Sequence, residues 1–394
     1  MLEIKGKYNT AKVFTDKVEG TAAAQILELC NQEFVKESVI RIMPDTHAGA
    51  GCTIGTTMTI QDKIVPNLVG VDIGCGMYVC RLEKTKLDFE KLDKTIRNFV
   101  PSGFEVREVP HEYNDLIDLD SLKCREQINL TRARLSIGTL GGGNHFIEMN
   151  KDEDDNLYLV VHSGSRYLGK QIAEYYQNRA IKELVRKSQK EIIAELKSQG
   201  RDKEIQGAIE KGKVNVSEAL SYVHGETFHD YLNDMHLAQK YASYNRKAIA
   251  EVIIREMGFW VTDSFTTIHN YIDVEEMVLR KGAISAHKGE VVIIPINMRD
   301  GSIIAVGKGN SDWNKSAPHG AGRLMSRSQA RRSLSMDEFV KSMDGIYTTS
   351  LSADTLDEAP SAYKPMAEIV ANIGDTVAIE KIIRPIYNFK ASED

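Results

Sequence analysis

The spacing of apolar residues changes several times along the chain, and each change marks an expected element. Residues 36–82 carry short β-branched runs broken by glycines, as in IVPNLVGVDIGCGMYVC, which predicts short strands joined by tight turns. A polar stretch at about 84–130 is expected to hold helices. The run LGGGNHFIE (140–148) then leads through the charged turn KDEDDN to a strand, LYLVVHSGSR (157–166), ending in a polar loop. From about Lys170 to Gly258 apolar residues fall three or four apart, the helical period. Within it Ile181–Val214 reads as a helical hairpin projecting from the body, with Gly200 near its turn and a solvated charge-rich face. Residues 261–310 return to strands. VVIIPINMRDGSIIAV predicts a hairpin turning near Arg299-Asp300-Gly301, and KIIRPIYNF near the end is strand-like. The pattern predicts an α+β fold: one catalytic body over residues 1–394, built of mixed sheets and helices, with a helical insertion at about 170–258. No fixed-period repeat is present, which excludes solenoids and propellers.

Composition narrows the class. Hydrophobic residues at 42% and charged residues at 27% exclude wholesale disorder. No apolar run is long enough to span a bilayer, and the start, MLEIKGKYNT, lacks the apolar core of a signal peptide. The five cysteines form no paired framework, so a reducing cytoplasm is expected. A net charge of −6 argues against indiscriminate coating of nucleic acid, but is compatible with a local basic site.

Candidate chemistry clusters around histidines. His145, His162, His269 and His319 each stand beside Gly, Ser, Asn or Pro at expected strand ends and loops, where a rigid scaffold presents functional groups. In Gly70-Val71-Asp72-Ile73-Gly74-Cys75-Gly76 the glycines let a carboxylate and a thiolate converge. That mixed hard and soft pair suits Mn²⁺, Zn²⁺ or Fe²⁺, and a small buried cysteine beside a turn-capping Asp72 is the plainer alternative. The Gly141-Gly142-Gly143-Asn144-His145 run allows either a phosphate cradle or a flexible turn. His162-Ser163-Gly164-Ser165-Arg166 adds an imidazole and a guanidinium. In PHGAGRLMSR (318–327) the segment past the glycines, up to about Arg332, is expected to be helical. Arg323, Arg327 and Arg331 would then share one face, as phosphate clamps or as an exposed basic surface, with His319 at the helix N-terminus.

Taken together, MPDTHAGAGCTIG (43–55), GVDIGCGM (70–77), GTLGGGNHFIE (138–148), VVHSGSR (160–166), IHNY (268–271), APHGAGRLMSR (317–327) and DEAPSAYK (357–364) resemble the RtcB family of GTP-dependent RNA ligases. The blocks run in family order over most of the chain. The resemblance implies joining of an RNA 3′-phosphate, or 2′,3′-cyclic phosphate, to a 5′-hydroxyl end in tRNA splicing or RNA repair. GTP and two Mn²⁺ ions would be used, through a guanylated histidine and an RNA-3′-pp-5′-G intermediate. Asp72, Cys75, His145, His162 and His269 would ligate metal, with Cys75 bridging, and His319 would be the nucleophile. Asn144, Phe146, Glu148, Ser302, Gly320, Ala321, Gly322, Tyr363 and Lys390 would line the nucleotide pocket. Arg132, Arg166, Arg323 and Arg327 would receive RNA phosphates.

The chain departs from the family pattern at Pro295-Ile296-Asn297, where Pro-Gly-Ser is usual, so Asn297 would replace the serine that contacts guanine. Ala48 and Ala50 stand where bulkier residues are common. Two other classes compete with a ligase: a metal-dependent RNA-end phosphatase or nuclease, which needs no His319, and a non-catalytic RNA-end binder, which needs no full ligand set. The sequence leaves open an activating accessory protein as a partner. No membrane association is expected.

Overall fold

The computed structural model describes residues 1–211 and 217–391. Its centre is a seven-stranded antiparallel sheet in the order Val261–Ile268, Gly76–Leu82, Leu157–Ser163, Phe146–Lys151, Val377–Phe389, Gly301–Gly307 and Val291–Asn297. Side chains alternate across this sheet, and both faces are covered. Cys80, Leu82, Leu157, Leu159 and Val161 pack on one face against Ile249 and Ile253 of the helix Glu226–Met257. Met77, Val79, Tyr158 and Val160 point the other way, against Ile293, Ile304 and Ile383. That second face positions the site. By the same alternation it carries Phe146, Glu148, His162 and Ser302, while a register shift between Pro385 and Tyr387 helps turn Asn388 towards Glu148.

A six-stranded sheet lies beside it, in the order Leu2–Lys5, Thr10–Val13, Ile40–His47, Ile54–Thr59, Val278–Lys281 and Tyr271–Asp273. Its residues Ile40, Ile42 and Met58 share a core with Tyr176, Ala180, Tyr231 and Met235 of two long helices, Arg166–Ser198 and Glu226–Met257. The model is mixed α/β, as the α+β expectation requires. The expected strands at 291–306 form a hairpin, Val291–Asn297 with Gly301–Gly307. Of the polar 84–130 stretch, Phe89–Phe99 is a regular helix, Leu130–Ser136 a shorter one at its end, and single 3₁₀ turns lie between. The helical period over about 170–258 corresponds to the two long helices and a short one, Ile205–Lys211, that follows a turn at Gly200 (φ +69°). Positions 212–214 of the expected hairpin lie outside the described residues, as do residues 392–394.

One element differs from expectation. The segment from Gly322 to Arg332 is not a single helix: only Arg327–Ser333 is helical, and Arg323 lies before it in an extended bridge to Tyr363. Gly322 adopts φ +77°, which breaks a helix, and a side chain there would collide with the Asp45 carbonyl; the Ser326 hydroxyl then caps Gln329 N–H to start the helix afresh. His319 consequently follows the short strand Ser316–Pro318 and stands at no helix N-terminus.

Candidate active site

Five expected ligands meet where the two sheets approach. Asp72, Cys75 and His145 form one group whose ligand atoms lie within 4.8 Å of one another; Cys75, His162 and His269 form a second, sharing the thiol. Cys75 Sγ is 3.4 Å from His145 Nε2 and 3.2 Å from His162 Nε2, and Asp72 Oδ2 is 3.0 Å from His145 Nε2. The order of the strands explains the convergence. Gly76–Leu82, Leu157–Ser163 and Val261–Ile268 are adjacent, and Cys75, His162 and His269 lie at their ends. Gly164 makes room for the Asp72 carboxylate, which would collide with any Cβ there.

The histidine tautomers test whether this set fits a metal. His145 Nδ1 donates to the Leu140 carbonyl at 2.9 Å and His162 Nδ1 to the Asn144 carbonyl at 3.0 Å. A carbonyl only accepts, so Nε2 of His162 turns its lone pair towards Cys75, the arrangement a metal-binding imidazole needs, while Nε2 of His145 faces both Cys75 Sγ and the Asp72 carboxylate. Burial holds His162 and His269 well below the usual histidine range, keeping them neutral. Burial and the neighbouring Asp72 raise the Cys75 thiol, a cost that a cation between these groups reverses. The donors fit.

His319 lies beside the second group, its ring centroid 4.7 Å from that of His269. Its Nδ1 donates to Asp45 Oδ2 at 2.7 Å, and its backbone N–H approaches the same oxygen at 3.2 Å. Asp45 is fully buried in the strand Ile40–His47, so Nε2 of His319 carries the lone pair and is the atom left for chemistry. Lys364 anchors that strand by donating to the carbonyls of Pro44 and Thr46.

A cleft opens from His319. Asn144, Phe146, Glu148, Asn297, Ser302, Gly320, Ala321, Gly322, Tyr363 and Lys390 line it, together with Arg323 and Arg327. Within it Glu148 is buried and accepts from Asn388 Nδ2 at 2.8 Å and Asn150 Nδ2 at 3.3 Å. Burial outweighs these bonds and the nearby Lys390 charge, pushing its carboxyl up to about 7. Ser302 Oγ is buried with no partner among the described residues, an unmet polar group of the kind a ligand satisfies. Asn297 is more occupied. Its Oδ1 accepts from the Arg299 and Asp300 N–H groups and its Nδ2 donates to Asp300, closing the hairpin turn.

Glu358 organises the far wall. It accepts from Lys390 Nζ at 2.7 Å and Tyr363 OH at 2.6 Å, and pairs with Arg323 at 3.2 Å and Arg327 at 3.4 Å. Burial would raise this carboxyl, but Lys390, Arg327 and Arg323 bring it down to about 2. Asp357 meanwhile pairs with Arg327 and Arg331. The three arginines thus converge on two carboxylates instead of forming a stripe. Arg132 and Arg166 lie elsewhere: Arg166 packs under Gly141 with its guanidinium 3.1 Å from His145 Nδ1, and Arg132 bonds to the Phe104 carbonyl.

Sequence reasoning passed over Asp45, Glu358 and Asn388. Asp45 and Glu358 were within quoted motifs, but nothing in a motif shows which carboxylate meets which cation across hundreds of residues.

A cysteine shared between two ligand groups thus lies beside a carboxylate-held histidine and a polar cleft. A family model described as tRNA-splicing ligase RtcB matches residues 25–391. The chain belongs to the RtcB family of RNA ligases. It is 30% identical to the RNA-splicing ligase RtcB of Escherichia coli (strain K12), over 94% of each chain. It is 28% identical to the tRNA-splicing ligase RtcB of Aeropyrum pernix, over 91% of this chain and 88% of that protein. Against the tRNA-splicing ligase RtcB of Nanoarchaeum equitans the identity is 26%, over 90% and 88%. Among the described residues of this RtcB-family chain, no helix is long and apolar enough to cross a membrane.

Proposed function

We propose that the chain seals RNA 3′-phosphate ends, or 2′,3′-cyclic phosphate ends after hydrolytic opening, to 5′-hydroxyl ends, consuming GTP. The observation that carries this reading is His319: a buried carboxylate fixes its tautomer and leaves Nε2 beside both the thiol-sharing cluster and the cleft. A metal-dependent hydrolase that activates water, or a passive RNA binder, needs no such nucleophile.

In this reading Nε2 of His319 attacks the α-phosphorus of GTP, and the bond to the β-phosphate oxygen breaks to release pyrophosphate. An RNA 3′-phosphate oxygen then displaces His319 to give RNA-3′-pp-5′-G. Attack by the 5′-hydroxyl oxygen forms the phosphodiester and expels GMP, with loss of the hydroxyl proton. Asp45 stabilises the positive charge that develops on the imidazole. Glu148 and Lys390 are assigned to the guanine edge, with Asn144, Phe146, Ser302, Gly320, Ala321, Gly322 and Tyr363 around the nucleotide and Asn297 at its rim. Arg132, Arg166, Arg323 and Arg327 are assigned to RNA phosphates. Asp72, Cys75, His145, His162 and His269 would hold two Mn²⁺ ions, whose charge neutralises phosphate oxygens. Five buried free cysteines support a reducing compartment, the cytoplasm.

The test is incubation with GTP labelled at the α-phosphate and Mn²⁺, with and without RNA bearing the two ends. Covalent label on wild type, its loss in His319→Ala, and sealed RNA are expected. Phosphate release from RNA without protein labelling would replace the proposal with a hydrolase, and RNA retention with neither would replace it with a binder.

A further inference from the structure

Two large aromatic rings project into solvent near the metal-ligand cluster, on a side that the nucleotide cleft does not use. Phe104 is 72% exposed and Tyr167 is 45% exposed.

Phe104 is not on a slack loop. Gly103 N–H donates to the Gly141 carbonyl at 3.1 Å, Leu140 N–H to the Pro101 carbonyl at 2.9 Å, and Glu105 N–H to the Ser102 carbonyl at 3.0 Å. The turn is therefore fastened to the glycine run that precedes His145. Tyr167 directly follows Arg166, whose φ of +57° is uncommon for a residue with a side chain and which packs under Gly141 beside His145. Arg132 links the two positions: its guanidinium donates to the Phe104 backbone carbonyl at 2.7 Å and lies 5.9 Å from the Tyr167 ring centroid. Arg166 donates to the neighbouring Gly103 carbonyl at 3.5 Å. Two exposed π-faces and two cations thus stand within a few residues of a proposed metal ligand. The groove bordered by Phe104 also reaches Lys390, which lines the nucleotide cleft from its other side.

We propose that Phe104 and Tyr167 form a stacking platform for the unpaired bases next to the RNA end being joined, with Arg132 and Arg166 drawing in the backbone. This rests on the RNA-ligase reading and deepens it. Aromatic faces accept any base, because every base has a π-surface, so the platform selects single-stranded ends without selecting sequence. A base-paired end keeps its bases stacked on one another and gains nothing from the rings. With a net charge of −6 the protein as a whole does not attract an anionic chain, so capture depends on local cations.

The experiment measures RNA affinity and sealing for Phe104→Ala, Tyr167→Ala and the double variant, using single-stranded ends and blunt duplex ends of the same sequence. Each single variant should weaken single-stranded binding by about ten-fold, within the range alanine substitution gives for a base–aromatic stack. Phe104→Trp should restore it and Phe104→Leu should not, which separates stacking from general hydrophobic packing. Strands ending in a 3′-phosphate and strands ending in a 5′-hydroxyl are titrated separately, and the strand whose affinity falls is the one the platform holds. Covalent labelling by GTP and the melting temperature report on folding. Wild-type labelling with RNA affinity unchanged for both strands in the double variant would overturn the platform. Failure of wild type to label with GTP would instead strike the ligase reading.

Discussion

Asp45 Oδ2 lies 2.7 Å from His319 Nδ1, a contact between residues 274 positions apart in the chain. In the proposed mechanism it decides which nitrogen of the imidazole reacts. In Asp45→Asn the amide presents a donor as readily as an acceptor, and the tautomer with Nε2 protonated becomes accessible. We expect labelling by GTP to fall by roughly 10²-fold or more, the scale of a general acid–base contribution, with metal content unchanged. Unchanged labelling would remove Asp45 from the mechanism.

Cys75 belongs to both ligand groups, whereas His162 belongs to one. Cys75→Ala should abolish high-affinity binding of both Mn²⁺ ions, and His162→Ala should weaken mainly one. Metal titration of the purified variants distinguishes the two outcomes. Equal residual stoichiometry would count against a shared thiolate.

The distribution of these residues shows what a sequence can and cannot display. The hairpin over 291–307 was legible because β-branched residues flank a polar Arg-Asp-Gly turn, a local signal. Cys75, His145, His162 and His269 were legible as candidates because glycine and serine around them mark strand ends. The helix around Arg327 was misplaced although its true start was written locally. Ser326-Arg327-Ser328-Gln329 has the spacing of a capping box, and that cue outweighs an arginine periodicity running back through Gly322. Glu358 was illegible for a different reason. Its partners Lys390, Arg323 and Arg327 approach from separate segments, and only the fold brings three cations to one carboxylate.

Glu358 also makes a prediction about stability. It is 5% exposed and surrounded by cations, so removing its charge leaves Lys390 and two arginines facing one another. Glu358→Gln should destabilise the protein by about 3 kcal/mol at neutral pH, measured by urea unfolding. The sign with pH follows from a carboxyl held at about 2 in the fold against an ordinary value of 4.5. Its contribution is complete above pH 4.5 and is lost as pH falls towards 2, so the gap between wild type and variant should close over that range. A gap that is constant from pH 7 to pH 3 would show that the charge is not what stabilises this wall.

Glu148 behaves in the opposite sense. Burial pushes its carboxyl up to about 7 from an ordinary 4.5, so the folded protein without nucleotide prefers it protonated. Its contribution to stability is then greatest below pH 4.5 and declines as pH rises to 7, by about 3 kcal/mol, a slope that Glu148→Gln should remove. Guanine presents donors at N1 and N2, and only the ionised carboxylate accepts from both. Adenine offers an acceptor at N1 instead, leaving a buried carboxylate unpaired, so preference for GTP over ATP on the order of 10⁴-fold is expected above pH 7. Below pH 7 the carboxyl holds its proton, and labelling by GTP should weaken faster than metal binding does. Glu148→Gln should lose most of the base preference at every pH and show no change in preference near pH 7. Measuring adduct formation with GTP and ATP from pH 6 to pH 8.5 in both proteins checks this. Equal wild-type labelling by the two nucleotides, or a preference that survives in Glu148→Gln, would assign guanine recognition to another group in the cleft.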